Sequence, residues 1–421
     1  MSPDDLRPAL REAFAAGVAA ADPAAAVRAA LQDHREALEG ASRIFVAALG
    51  KAACVMAEAA IAELGREPTE GIVVTTDAAA RPIAGCRVIA GGHPLPDAGS
   101  VEGGSALLAL AEKAEEGDLL LALISGGGSA LGVAPREGLT LSDKTAVTDL
   151  LLRSGADITE MNTVRRALSR LKGGGLAEAA APARVLSLIV SDVPGDDPAT
   201  VASGPTARAS SALSAQDVLD RRGLLERIPA SVRAAIEGAE TPAPLTDVMN
   251  RIVASNARSV EAVAAHLRTQ GFRVVTRPGW LGGDVEEAAR ELFELFAVQD
   301  SQGGPLAVVA GGETTVEVTG DGLGGRNQEF ALRFARLAEE KGITAPFAFL
   351  SGGTDGRDGP TDTAGGIVDG GSLERLRIAG VDLADHLARN DAYHALKASG
   401  DLLMTGTTGT NVADLQIALK L

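Results

Sequence analysis

Short apolar runs alternate with helically spaced stretches through the first half of the chain. The runs are 43–49 (RIFVAAL), 71–75 (GIVVT), 86–90 (CRVIA), 118–124 (DLLLALI) and 185–190 (VLSLIV). Their length and unbroken apolarity predict strands buried on both faces. The helical stretches are an Ala-rich 8–38, KAACVMAEAAIAEL after Gly50, then 99–115, 140–153 and 159–171. Strand followed by helix, repeated, predicts an α/β fold with a mostly parallel sheet and helices on both faces. Residues 206–248 are rich in Ala, Pro, Ser and charge and read as short helices in a looser connection. Strands at 251–254 and 272–276 and helices at 256–270 and 284–298 follow, and QDSQGG (299–304) reads as an exposed turn. From 305 a second compact region is expected. It has strands at 306–310 and 314–318, a glycine loop, a helix at 327–341, a strand at 346–350, a Gly/Asp-rich loop and a last strand near 411–419. The expected domains are 1–240 and 301–421, joined by an α/β segment, 241–300.

The most informative stretch is GGETTVEVTGDGLGGRNQE, 311–329. Alternation around Val316 and Val318 predicts a strand, and Phe330, Leu332, Phe334 and Leu337 have helical spacing. Between them lie Gly320, Gly322, Gly324, Gly325 and Arg326. Glycines let backbone N–H groups turn to an anion, and a helix N-terminus favours negative charge. The arginine adds a planar fork of donors suited to phosphate. GDGLGG also contains G-x-G-x-x-G, a weak signal alone. A dinucleotide fingerprint wants an acid roughly 20 residues later at a strand end, whereas Asp355 lies 30 residues beyond Gly325. A plain tight turn is the bland alternative.

In parallel sheets ligands bind beyond the carboxyl ends of the strands. Strand 43–49 ends in Gly50-Lys51. A cation is mildly unfavourable at a helix start, so Lys51 is a candidate for a phosphate or a substrate carboxylate, against a solvated lysine. Strand 118–124 ends in Ser125, Gly126, Gly127, Gly128 and Ser129. With neither the lysine of a P-loop nor G-x-S-x-G, the loop reads as a backbone anion cradle. Strand 185–190 leads to Asp192, a candidate general base or metal ligand, although Asp-rich loops are also common turns. SGGTDGRDGPTDTAGG (351–366) lacks the spacing of a calcium loop. Its Asp355, Asp358 and Asp362 fit better as one or two ligands to Mg²⁺ held jointly with a nucleotide's phosphates. NTVRRALSRLKGGGLA (162–177) reads as a surface helix with Lys172 as an ordinary C-terminal cap. Of five histidines, only His93, in GGHPLPD, falls in a loop after a strand where a site is expected.

Composition narrows the partners. The net charge of −17 argues against nonspecific nucleic-acid binding. It does not exclude a small anion held by local loops. Glycine, 50 of 421 residues, concentrates at strand ends, as many tight ligand-facing loops would require. Cys54 and Cys86 have neither metal spacing nor the density of a disulfide framework. No apolar signal core or run of about 18 apolar residues is present, so the expectation is cytoplasmic, with no membrane partner.

Together these motifs resemble the class II glycerate kinases, the glycerate 2-kinase family with a Rossmann-like N-terminal domain and a smaller mixed-sheet α/β MOFRL domain. GK, GGHPLPD, SGGGSAL, the N-x-x-R helix, SDVPGD with SGPT, GGRNQE, TDGRDGPTD and TGTNV occur in family order over nearly the whole chain. The resemblance implies an enzyme that uses ATP and Mg²⁺ to phosphorylate D-glycerate at its 2-hydroxyl, giving 2-phosphoglycerate in a cleft between the domains. It implies catalytic roles for Lys51, Asp192 and Arg326, with Lys51, Arg326 and His93 at the substrate and Asp192 and Asp355 at the metal. The nucleotide would meet Ser125, Gly126, Gly127, Gly128, Ser129, Gly322, Gly324, Gly325 and Asn327. A homodimer is compatible with this reading. Thr407 replaces a usual proline, and Thr363 and Gly366 replace alanines, leaving the proposed catalytic positions intact. Family members often carry the name hydroxypyruvate reductase. An NAD(P)H-dependent reductase and a noncatalytic anion-binding protein are therefore the rival readings.

Overall fold

The structure is a computed structural model that describes residues 2–210, 213–238, 244–298 and 304–421. All but the last residue of the turn expected over 299–304 falls outside the described residues. The chain divides into two compact units, residues 23–253 and residues 1–22 with 254–421. The boundaries differ from the expected 1–240 and 301–421 in a specific way. The first helix, Leu6–Ala20, belongs with the C-terminal unit. There Arg7 bonds Asp369 at 2.6 Å and Asp401 at 2.8 Å. Partners more than 360 positions away leave no local trace in sequence.

The unit of residues 23–253 is built on strands β1 (Ile44–Leu49), β2 (Glu70–Thr75), β3 (Cys86–Ala90), β4 (Leu119–Ile124), β5 (Arg184–Ser191) and β6 (Val248–Ser255), whose last two residues fall in the other unit. They lie in the order β3-β2-β1-β4-β5-β6. β1 pairs in parallel with β2 and β4, β2 with β3, and β4 with β5. β1 and β4 are buried at every residue, which explains their unbroken apolarity. Phe45, Ala47, Leu49, Leu120, Ala122 and Ile124 pack beneath helix Ala98–Ala111 through Leu107, Leu108 and Ala111. The order reverses direction between β1 and β4, and that switch point is where such sheets open a crevice.

In the other unit the strands are β7 (Arg273–Thr276), β8 (Leu281–Asp284), β9 (Leu306–Thr315), β10 (Phe347–Gly353), β11 (Gly365–Asp369), β12 (Leu402–Leu403) and β13 (Asp414–Lys420). Their order is β12-β11-β10-β13-β9-β7, with β8 also on β9. β13 runs antiparallel to β9 and β10, whereas β7 runs parallel to β9, so the sheet is mixed. One face packs on Phe293, Phe296, Phe330 and Phe334, with Phe334 stacked on Phe349 at 4.0 Å. The other packs on Leu6, Leu10 and Phe14 of the first helix.

Two expectations are corrected here. The strands at 306–310 and 314–318 are one strand, β9, that ends at Thr315. Val318, counted as part of a strand, is 75% exposed. Its alternation has no partner strand to bury it. No element is predicted over 370–400, which holds helices Ser372–Ile378, Leu383–Ala388 and Ala392–Ser399. They are too short for a clear helical period. Among the described residues no single helix is long and apolar enough to cross a membrane.

Candidate active site

The register of the parallel sheet assembles the first group of residues. Leu49 pairs with Ile124 and Ile124 with Ile189. The segments that leave β1, β4 and β5 therefore start level with one another at the switch point. Backbone bonds stitch the first two together. Ser125 N–H donates to Leu49 O at 2.9 Å and Lys51 N–H donates to Gly126 O at 2.9 Å. The Ser125 hydroxyl accepts from Ala52 N–H at 3.1 Å and so supplies the cap that Ala52, at the start of helix Ala53–Leu64, cannot provide itself. Gly50 has φ +128°, and a Cβ there would lie 2.2 Å from Ser125 Oγ. Only glycine passes so close to the neighbouring loop.

Asp192 follows β5 and sits over the loop after β4. A Cβ on Gly126 would be 1.9 Å from Asp192 Oδ2, and one on Gly127 would be 3.1 Å from Lys51 Cγ and 3.2 Å from His93 Cδ2. Glycines 126 and 127 thus clear the space in which Lys51, His93 and Asp192 gather. Burial pushes the Asp192 carboxyl up from its ordinary range, and the charge of Lys51 pulls it partly back. Burial, then the charge of Lys51, holds the His93 imidazole below its ordinary value. Lys51 itself is exposed. The arrangement is a half-buried carboxylate beside a solvent-facing cation, with loops too small to obstruct a ligand.

Ser129 leads to residues that sequence reasoning missed. Lys172 Nζ donates to Ser129 O at 2.7 Å and Ser129 Oγ at 2.8 Å. Ser129 Oγ lies 3.0 Å from Ser203 Oγ. Lys172 is only 5% exposed, so reading it as a solvated helix cap is wrong. It anchors the glycine loop from behind. Ser203 and its neighbour Ala202 have φ of +63° and +51°, a conformation that non-glycine residues adopt at a cost. The only sequence hint was the SGPT segment itself, and no local pattern pairs it with KGGG.

The second group lies in the mixed-sheet unit and differs from expectation. Helix Arg326–Glu340 begins after Gly325, but its first amides are already occupied. Asp358, 2% exposed, accepts from Asn327 N–H at 3.1 Å and Gln328 N–H at 2.9 Å. Side-chain amides of Asn327 and Gln328 add bonds at 3.3 and 2.9 Å. The anion at this helix start is the chain's own carboxylate. Burial pushes Asp358 up to about 6 against these donors. Asn327, expected at the nucleotide, is 1% exposed and also accepts from Ser351 Oγ at 2.6 Å. Its position makes it an internal brace. The glycine loop before it is tied down likewise. Thr319 and Gly320 N–H donate to Asn390 Oδ1, Gly322 N–H to Arg389 O and Leu323 N–H to Asp391 Oδ1.

Arg326 stands between two carboxylates. Nε and Nη2 bond Asp414 at 2.6 and 3.0 Å, and Nη1 reaches Glu313 at 2.8 Å. Burial acts to lower its pKa, and the Asp414 and Glu313 contacts more than reverse this. Three of its five N–H donors are used, which leaves two for a ligand. Its side chain is 33% exposed. Asp355 is half-buried, with Oδ1 accepting from Arg357 N–H at 2.9 Å. Among the described residues no three His, Cys, Asp or Glu side chains cluster as a metal cage. Sites that share Mg²⁺ with nucleotide phosphates typically offer one or two carboxylates and need no such cage.

The comparisons with known proteins bear on this geometry. Residues 9–237 match a domain family described as of unknown function, and residues 306–414 match the MOFRL family. A glycerate 2-kinase of Pyrococcus horikoshii is 39% identical over 96% of this chain and 94% of its own length. The crystal structure of a glycerate kinase from Thermotoga maritima superimposes with a TM-score of 0.90 at 38% identity, covering 98% of this chain and 99% of that one. The chain belongs to the class II glycerate kinase family. It is a kinase, and the loops at the ends of β1, β4 and β5 are its candidate catalytic apparatus. An Agrobacterium vitis relative, 41% identical over 98% of this chain and 94% of its own, carries a provisional hydroxypyruvate reductase name. The site does not favour that activity. G-x-G-x-x-G falls in the mixed-sheet unit, not after a strand of the parallel sheet, and several of its amides bond within the chain.

Proposed function

We propose that this kinase transfers the terminal phosphoryl group of ATP to the 2-hydroxyl of D-glycerate, releasing ADP and 2-phosphoglycerate. The observation that carries the reading is the meeting of Asp192, Lys51 and the glycine loop at the switch point of the parallel sheet. Phosphoryl transfer needs positioning and charge neutralisation more than covalent help from the protein. Asp192 accepts the proton of the 2-hydroxyl as its oxygen bonds to phosphorus. The raised carboxyl pKa suits a base working near neutrality better than an ordinary aspartate would. Lys51 and the two uncommitted donors of Arg326 balance charge on the substrate carboxylate and the moving phosphoryl group, and His93 borders the substrate. Gly126 to Ser129 approach the nucleotide phosphates. Asp192 and Asp355 would hold Mg²⁺, which supplies charge neutralisation on those phosphates.

The test is ADP release from ATP and Mg²⁺ in the presence of D-glycerate, with phosphorus NMR of the product. Glycerate-dependent ADP with phosphate on C2 supports the reading. Phosphate on C3 overturns the assignment of the hydroxyl. Hydroxypyruvate-dependent oxidation of NAD(P)H without ATP turnover would overturn the proposal as a whole.

A further inference from the structure

Beside the glycine loop, wholly inside the unit of residues 23–253, lies an open cavity of about 990 Å³. Five cations line it: Arg136, Arg166, Arg170, Lys172 and Arg208. The acids on its wall do not balance them. Glu112 pairs with Arg170 at 3.2 Å and Glu178 with Arg208 at 3.0 Å, and Glu137 is exposed. Among the described residues the Arg166 side chain has only Thr163 Oγ1 as a hydrogen-bond partner, at 3.3 Å, with the charge of Asp197 acting on it, and the Lys172 side chain has only Ser129. Among the described residues the buried Nε and Nη1 of Arg208 have no partner. Two further cations, Arg165 and Lys144, add repulsion on Lys172. Burial and that repulsion hold Lys172 well below an ordinary lysine, and burial first, then Arg165, brings Lys144 down to about 7. Crowding buried like charges is costly unless an anion joins them.

Resting on the ATP-dependent reading above, we propose that this cavity takes the adenine nucleotide, with its phosphates among Arg166, Arg208 and Lys172. Three features select a nucleotide over the three-carbon acid. The volume is at the upper end for small-molecule pockets, about 300 to 1,000 Å³, far more than glycerate would fill. The remaining wall is apolar, with Leu108, Ala167, Ala179 and Ala235 available to a base. Lys172 also connects the two places physically, since it lines the cavity and holds Ser129, two residues from the Gly127 position beside Lys51 and His93. A nucleotide seated here carries its terminal phosphate towards the loop on which Asp192 sits.

The test titrates ADP into the full chain by calorimetry, comparing wild type with Arg166→Ala/Arg208→Ala. Loss of charged hydrogen bonds is expected to raise the ADP dissociation constant at least roughly tenfold, raising KM for ATP in parallel and leaving KM for D-glycerate within twofold. A second variant, Ala179→Trp, keeps every cation and fills the wall. It is expected to weaken ADP as well, so loss of folding in the first variant does not leave the matter open. ADP affinity unchanged in a folded variant of either kind overturns the proposal. So does weakened 2-phosphoglycerate binding with ADP binding intact, which would make the cavity a site for the phosphorylated acid. The titration needs no turnover. Wild-type turnover with unaltered ADP binding in the variants sinks the cavity alone, whereas wild-type binding of ADP without glycerate turnover sinks the proposed D-glycerate reaction.

Discussion

The two glycine-rich loops of this chain have similar composition and opposite fates. After β4, Gly126 and Gly127 give way to side chains from elsewhere: Asp192, Lys51 and His93 occupy the room that a Cβ would take. After β9, the glycines give way to the chain's own backbone. A Cβ on Gly320 or Gly322 would lie within 2.5 Å of Arg389 atoms, and one on Gly325 within 2.3 Å of the Asp358 carboxyl. The first loop ends beside an exposed lysine and a carboxylate with no ion-pair partner among the described residues. The second is closed by Asp358, Asn390, Asp391 and Asp414. Glycine tells that something comes close and does not tell whether that something is a ligand or the protein.

If this contrast is right, the same kind of substitution has different consequences in the two places. Asp192→Asn is expected to have the largest effect, lowering kcat by roughly 10²- to 10⁴-fold, the usual span for a general base, with ADP affinity kept. Steady-state kinetics and a nucleotide titration check it, and turnover within tenfold of wild type removes Asp192 as the base. Arg326→Ala should lower kcat on the order of 10³-fold. It should also lower stability by about 2 kcal/mol or more, because fully buried Asp414 is left without its partner. Lys51→Ala should slow turnover without that loss, since Lys51 is exposed and forms no ion pair among the described residues. Urea unfolding of the two variants separates an arginine that braces its unit from a lysine that serves only chemistry. Equal stability losses would erase the distinction.

Smaller effects sharpen the comparison. Asp358→Ala strips the start of helix Arg326–Glu340 of its acceptor and should lower stability by about 2 kcal/mol, readable as a lower urea midpoint. No loss would mean that water replaces the carboxylate and that this helix start is available to a ligand after all. The last test is the pH profile. Asp192 must be ionised to act as base, and burial raises its pKa above the ordinary 3.8. Activity is therefore lost as pH falls through a value above 3.8. Removing the positive charge of Lys51 should move that acid limb of kcat/KM higher still. A limb that stays put in Lys51→Ala would show that the two groups do not interact.

Lys51, Asp192 and the SGGGS loop were legible because parallel strands announce themselves as unbroken apolar runs, and ligands gather where such runs end. The same logic failed on Asn327 and on the amides that start its helix. A helix start after glycines looks identical in sequence whether its amides face solvent or an internal carboxylate. Asp358, which decides the case, sits 31 positions from Asn327, in a loop that also reads as a metal site. The first helix carried its amphipathic pattern openly, yet nothing local could say that its partners are Asp369 and Asp401. By itself, the sequence determined the α/β layering, the polar and glycine-rich strand ends and the family. Tertiary structure alone decided which polar groups are already satisfied, because satisfaction depends on distances between residues remote along the chain. It also decided that Lys172, in appearance a surface cap, is buried behind the loop it anchors, since burial is a property of everything packed around a side chain and not of its neighbours in sequence.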